Sequence, residues 1–175
     1  MRLLPAISAM LLAGCAVAPP QSDIMLRLAP GSLGRELALQ QRMTVSSHGR
    51  TEQLDLAIES DEDSVRLAVM DFGQTVMRLE WDGQALKESR ATGWPAFITP
   101  ERVLSDLQLV HWPLESIRPG LPTGWSVDDE AGTRVVRARG EVAIRIRHSG
   151  TDNAELEHLA AKYRVRLEPW PRSAP

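Results

Sequence analysis

The sequence predicts an α+β fold, a curved antiparallel sheet with one or two short helices covering its concave face. Three observations predict it. Apolar and polar residues alternate over most of 36–90 and again beyond Trp125, the pattern of strands with one face buried. One stretch, about 99–110, changes to helical spacing. The order of strands, then helices, then strands is that of an α+β chain.

The elements follow in order. Leu37, Leu39, Gln41, Met43 and Val45 share one face of a first strand, and Ser47-His48-Gly49-Arg50 turns the chain. Leu54, Leu56 and Ile58 form a second row. Asp61-Glu62-Asp63 makes a second turn, Val65, Leu67 and Val69 a third row, and Thr75, Met77, Leu79 and Trp81 a fourth. Asp82-Gly83 predicts a hairpin with a type I′ turn, which needs positive φ at both central residues; a weaker fifth strand follows at 84–90. Thr99 is placed to cap a helix and Pro100 to start it, where no donor is needed. Val103, Leu104, Leu107 and Val110 then recur at helical spacing, and Glu101 suits the first turn. Leu114, Ile117 and Leu121 suit a second short helix before Pro119-Gly120-Leu121-Pro122. Alternation returns near Trp125, at 133–139, at Val142, Ile144 and Ile146, and at Tyr163, Val165 and Leu167, for about eight strands in all. The segment 154–161 has helix propensity yet lies between two strands at hairpin distance, so both readings stand.

The N-terminus has a different logic. Met1-Arg2 precedes about a dozen mostly apolar residues that end in Leu12-Ala13-Gly14-Cys15. That is the layout of a secretory signal, too short to span a bilayer permanently. Cys15, the only cysteine, sits at the expected cleavage point, and Leu12-Ala13-Gly14-Cys15 resembles the lipobox of bacterial lipoproteins. The resemblance implies cleavage before Cys15, acylation of its thiol and a mature chain of 161 residues (15–175). Two or three acyl chains would anchor it stably. Ala16 rather than Asp follows Cys15, which resembles outer-membrane sorting with the body in the periplasm. The expected organisation is a signal at 1–14, acylated Cys15 and a tether over 15–29, one domain at 30–170, and a disordered tail at 171–175.

Composition sets further bounds. The chain has 175 residues with 20 Lys+Arg against 23 Asp+Glu, a formal charge of −3, which argues against nucleic-acid binding through overall charge. At 43% hydrophobic residues it has the means for a packed core. A single cysteine excludes an internal disulfide and a cysteine-based zinc site. Charge is unevenly spread. Residues 131–175 hold nine basic against five acidic residues, and residues 15–130 ten against eighteen. Arg145, Arg147, Arg164 and Arg166 stand opposite the apolar rows of their strands, so they should face water. They suit either anionic head groups or an acidic partner, or simply a solvated face with local ion pairs.

The inner apolar rows pose the functional question. Eight strands and only some 20 helical residues leave the sheet to close around its own side chains or around a ligand. The residues expected to line that hollow are Leu37, Leu39, Met43, Leu54, Leu56, Ile58, Val65, Leu67, Val69, Met77, Leu79 and Trp81, with Leu104 and Leu107 from the covering helix. Aliphatic surface of this kind suits an acyl chain because burial is non-directional; it equally suits a filled core.

Several stretches carry a family resemblance. They are Gly31-Ser32-Leu33-Gly34-Arg35-Glu36 with Gln40-Gln41 and Thr44, and Phe72-Gly73-Gln74 with Leu79-Glu80-Trp81-Asp82-Gly83. Further on come Arg102-Val103-Leu104-Ser105-Asp106-Leu107-Gln108-Leu109 with Trp112-Pro113, and Leu121-Pro122 with Gly124-Trp125. In their order, over about 26–168, they resemble the bacterial lipoprotein family DUF3261. The resemblance implies a fold similar to the lipoprotein carrier LolA and its outer-membrane receptor LolB, an incomplete antiparallel barrel with an apolar concave face. It also implies a setting beside fatty-acid-type or aryl-polyene biosynthesis, with an exporter or second carrier as partner. It brings no catalytic residues.

Motif search adds little chemistry. There is no G-x-S-x-G, H-E-x-x-H, G-x-x-x-x-G-K or G-x-G-x-x-G. His148 and His158 flank a loop with Asp152, a weak suggestion of a metal or acid–base pair, and Asp61-Glu62-Asp63 lacks the pattern of a calcium loop. The expectation is a non-catalytic, monomeric outer-membrane lipoprotein without cofactor or metal, which binds or places a hydrophobic acyl cargo. The alternatives are an assembly lipoprotein with a filled core that acts through partners, and an acyl-ester enzyme.

Overall fold

The computed structural model describes residues 23–95, 98–150 and 152–170. Among these, ten strands form one curved antiparallel sheet: β1 (Leu37–Ser47), β2 (Arg50–Ser60), β3 (Val65–Asp71), β4 (Gln74–Trp81), β5 (Leu86–Arg90), β6 (Trp125–Glu130), β7 (Thr133–Ala138), β8 (Glu141–His148), β9 (Ala154–His158) and β10 (Tyr163–Pro169). Their order is β5-β4-β3-β2-β1-β10-β9-β8-β7-β6, so the first and last strands pair in the middle and the sheet stays open at β5 and β6. Two helices, α1 (Pro100–His111) and α2 (Leu114–Ile117), connect the two halves. The α+β class and the open antiparallel sheet agree with the sequence. The weak fifth strand expected at 84–90 forms and pairs with β4, and the ambiguous segment 154–161 pairs as a strand, 154–158, with both β8 and β10, which brings the count to ten. In the latter segment Ala154, Leu156 and His158 are buried while Glu155 and Glu157 face out. Tertiary pairing therefore overrides its helix propensity.

The turns explain the register. His48-Gly49, Phe72-Gly73, Ala131-Gly132 and Arg139-Gly140 are two-residue loops in which both residues have positive φ. That is the requirement of a type I′ turn, whose twist matches its strands. Asp82-Gly83 is different. Only Gly83 has positive φ, and the loop spans 82–85, with Asp82 Oδ1 accepting from Gln84 N at 2.9 Å and Ala85 N at 2.7 Å. The hairpin forms, but the Asp82 side chain closes it in place of a type I′ backbone.

Residues 23–29, expected to belong to a tether, belong instead to the packed domain. Ile24, Leu26 and Leu28 are buried, and Met25 and Arg27 face outwards. This extended strap lies against α1 rather than beside a strand, and two polar residues of the helix do what a neighbouring strand would do. Ser105 Oγ accepts from Leu26 N at 3.0 Å and donates to Ile24 O at 3.2 Å. Gln108 Oε1 accepts from Leu28 N, and its Nε2 donates to Leu28 O, both at 3.0 Å. Trp81 Nε1 also donates to Leu28 O, at 2.8 Å. Gly120 is fitted to the strap, since a Cβ there would come within 2.4 Å of Leu28 Cδ2.

Helix α1 starts as expected, with Thr99 Oγ1 accepting from Arg102 N and Pro100 in the first turn. Its other end is held from the sheet. Arg134 of β7, almost buried, donates from Nη1 to Leu109 O at 2.7 Å and to Trp112 O at 2.8 Å. A guanidinium on carbonyls at this end also answers the negative pole of the helix. The strap, α1 and Trp112 fill one half of the concave side, where Leu104, Leu109, Trp112 and Ile117 are fully buried.

Candidate functional site: an apolar cavity beneath the helix

The other half is not filled. A cavity of about 340 Å³ lies between α1 and the inner face of β1, β2, β3, β9 and β10. Its walls are Met43, Val45, Leu54, Leu56, Leu67, Leu156, Val165 and Leu167 from the sheet and Val103, Leu107 and Val110 from the helix, with Trp94 and Ile98 beside it. His48, exposed at the β1–β2 turn, also borders the cavity and so brings that end to the surface. The size is within the range of small-molecule sites, about 300–1,000 Å³.

The residues expected to line a hollow divide into two groups. Met43, Leu54, Leu56, Leu67 and Leu107 border the cavity. Leu37, Leu39, Ile58, Val65, Val69, Met77, Leu79, Trp81 and Leu104 do not; they pack in or against the filled core. All fourteen lie on the expected side. What separates them is position along the strands, because the strap and the far end of α1 cover one end of the sheet and leave the other open.

The polar residues of the wall were not expected. Arg102 and Asp106, one turn apart on α1, meet Tyr163 at the start of β10. Tyr163 Oη donates to Asp106 Oδ2 at 2.6 Å and accepts from Arg102 Nη1 at 3.3 Å. Arg102 also pairs with Asp23 at the head of the strap. His158 stacks on Tyr163 with ring centres 5.1 Å apart, and its Nδ1 accepts from Ala161 N. Its Nε2 lies 3.3 Å from Asp23 Oδ1, outside hydrogen-bond geometry. Burial raises the Asp106 carboxyl to about 6 against the lowering pull of Tyr163 and Arg102. Burial and then Arg102 hold His158 down at about 4, so it is neutral. The i, i+4 spacing of Arg102 and Asp106 was visible in the sequence, but their third member lies 57 residues beyond Asp106.

The remaining expectations fall as follows. Cys15 and the signal lie outside the described residues, as do 15–22 of the tether and the tail at 171–175. Arg145, Arg147, Arg164 and Arg166 stand on the outer face around Glu155 and Glu157. Arg147 is 3.1 Å and Arg166 3.5 Å from Glu155, Arg164 is 2.9 Å and Arg145 4.0 Å from Glu157. The patch carries four positive charges against two negative. His148 and His158 do not form a pair, since His148 is opposite Ala154 in the register and His158 opposite Ile144. His148 Nε2 instead lies 2.9 Å from Val110 O. Among the described residues no group of three His, Cys, Asp or Glu is placed to hold a metal ion, and no helix is long and apolar enough to cross a membrane.

An open antiparallel barrel with a helix across its concave side and an apolar cavity under that helix defines the class of protein. The family model described as "Protein of unknown function (DUF3261)" matches residues 38–171, and the chain belongs to this family. No curated protein matches the chain.

Proposed function

We propose that this protein is an outer-membrane lipoprotein, held by acylated Cys15, whose periplasmic domain binds or places a hydrophobic acyl cargo without catalysing a reaction on it. The observation that carries the reading is the apolar cavity under α1, which reaches the surface at one end. Transfer of a hydrocarbon tail into such walls yields about 25 cal/mol per Å² of apolar surface removed from water. The likeness to the LolA and LolB carriers belongs to this proposal, supported by the open sheet and its covered concave side. An exporter or a second periplasmic carrier is the proposed source of the cargo.

The test is a titration of the full chain carrying Cys15→Ala with the neutral apolar fluorophore N-phenyl-1-naphthylamine. The expected result is saturable binding at one site, lost in Val165→Trp, whose indole would occupy the cavity from its half-buried wall position. Lipid mass spectrometry of the protein taken from its own host should show a co-purifying acyl compound. Absence of binding in both experiments leaves the reading as an assembly lipoprotein that acts through partners.

A further inference from the structure

The cavity has one polar corner, and the charges there do not balance. Arg102, the only cation among the described residues of the wall, is engaged by Asp23 and by the Tyr163 hydroxyl. Tyr163 spends its proton on Asp106 Oδ2. Oδ1 of Asp106 has no hydrogen-bond partner among the described residues, although the carboxyl borders the cavity. Counted together, Asp23, Arg102 and Asp106 leave one negative charge. His158, packed against Tyr163, is neutral and adds none. His48 of the β1–β2 turn is the other titratable group on the lining.

From this geometry we propose that Asp106 selects the head group of the cargo: the cavity takes a single aliphatic chain whose head is neutral and carries an O–H or N–H donor, and it turns away anionic heads. This rests on the acyl-cargo reading above and specifies its ligand class. A hydroxyl, glycerol or amide head would donate to Asp106 Oδ1, an acceptor with no hydrogen-bond partner among the described residues, and a hydrogen bond to a charged acceptor is stronger than one between neutral groups. An anionic head would meet the carboxylate across a few ångströms of low-dielectric space, where like charges repel far more than in water. The raised pKa of Asp106, about 6, makes the exclusion pH-dependent. Above that value the carboxylate repels anions; below it the group is neutral and can itself donate.

The experiment is displacement of the bound naphthylamine from the full chain carrying Cys15→Ala, below the micelle concentration of each ligand. The two ligands are 1-monododecanoylglycerol and dodecyl sulfonate, whose tails match and whose sulfonate does not titrate between pH 5 and 8. At pH 7.5 the glycerol ester is expected to displace at a concentration about tenfold lower or more. Lowering the pH to 5 should strengthen the sulfonate several-fold and leave the ester little changed. Asp106→Asn should bring the two ligands close together at pH 7.5 and remove the pH dependence. Tyr163→Phe is the second variant; loss of a hydrogen bond to the carboxylate should move the pH transition of sulfonate displacement upward. Equal displacement by both ligands, indifferent to pH and to Asp106→Asn, overturns head-group selection while the carrier reading stands. Failure of the fluorophore and of both ligands to bind overturns both.

Discussion

Three titratable groups, the half-buried Asp106 and His111 and the buried His158, shape the pH dependence of stability between about 4 and 6.5. His111 is held down at about 4 by burial first and then by Arg35, His148 and Arg134, and its Nε2 lacks a hydrogen-bond partner among the described residues. His158 is held down at about 4 as well. Both depressed histidines contribute stability that is present above about 6.5 and lost as the pH falls towards 4, because the unfolded chain takes up protons that the fold refuses. Asp106 has the opposite sign. Its carboxyl is raised to about 6, so its proton is held more tightly in the fold, and that stability is lost as the pH rises through 6. Near pH 5 the unfolded state then holds two histidine protons and the fold one carboxyl proton. Through these three groups stability should rise with pH by about 1.4 kcal/mol per unit between about 4.5 and 5.5. In Asp106→Asn the compensating proton is gone, and the contribution should steepen to about twice that slope. Urea unfolding at several pH values measures it, and a slope unchanged from the wild type would contradict the assignment of Asp106.

At the scale of elements, the strap and α1 form one unit whose polar contacts replace a missing strand. Gln108→Met keeps the volume but leaves Leu28 N–H buried without its acceptor, while Leu28 O retains Trp81 Nε1. A loss of about 1–3 kcal/mol is expected, with faster tryptic cleavage at the exposed Arg27 as the strap lifts; a variant as stable and as protected as the wild type would show the clamp to be dispensable. The strap was hard to read because its alternation, Ile24, Leu26 and Leu28 against Met25, Arg27 and Ala29, is short and follows a Pro-rich stretch. Strands β2, β3 and β4 were legible because each has one buried face, and period-two alternation records that directly; β5 has no buried residue and signalled itself only weakly. Alternation reports the face of a residue but not the layer in which it lies. It therefore placed Leu79 and Leu56 on the same side without showing that the first sits in filled core and the second on a cavity wall. The Arg102–Asp106–Tyr163 corner was illegible for another reason: it joins a helix to a strand through the register of β10, which periodicity does not encode.

At the scale of the whole molecule, the inner and outer faces of the same strands divide the work. β8, β9 and β10 place Ile144, Ile146, Leu156 and Leu167 inside and the arginine–glutamate patch outside. That patch neutralises itself only in part, because Glu155 and Glu157 serve four guanidinium groups. Two positive charges remain in excess on a face that belongs to an acidic protein of formal charge −3, and such local charge acts on anionic head groups within about a Debye length, roughly 8 Å at physiological salt. A basic residue near an anionic surface contributes about 1 kcal/mol. Replacement of Arg145, Arg147, Arg164 and Arg166 by Gln removes the excess and leaves the two glutamates to repel anionic lipid. Binding of the full chain carrying Cys15→Ala to vesicles rich in anionic lipid should therefore fall about tenfold or more, with no change on neutral vesicles and little difference at high salt. The substitutions are exposed or half-exposed and point away from the cavity, so displacement of the naphthylamine should remain as in the parent chain. Vesicle sedimentation at low and high salt reads the effect. Equal binding by the parent and the fourfold variant would confine these arginines to holding β8, β9 and β10 together, and would leave the proposed acylation of Cys15 as the sole proposed attachment to a membrane.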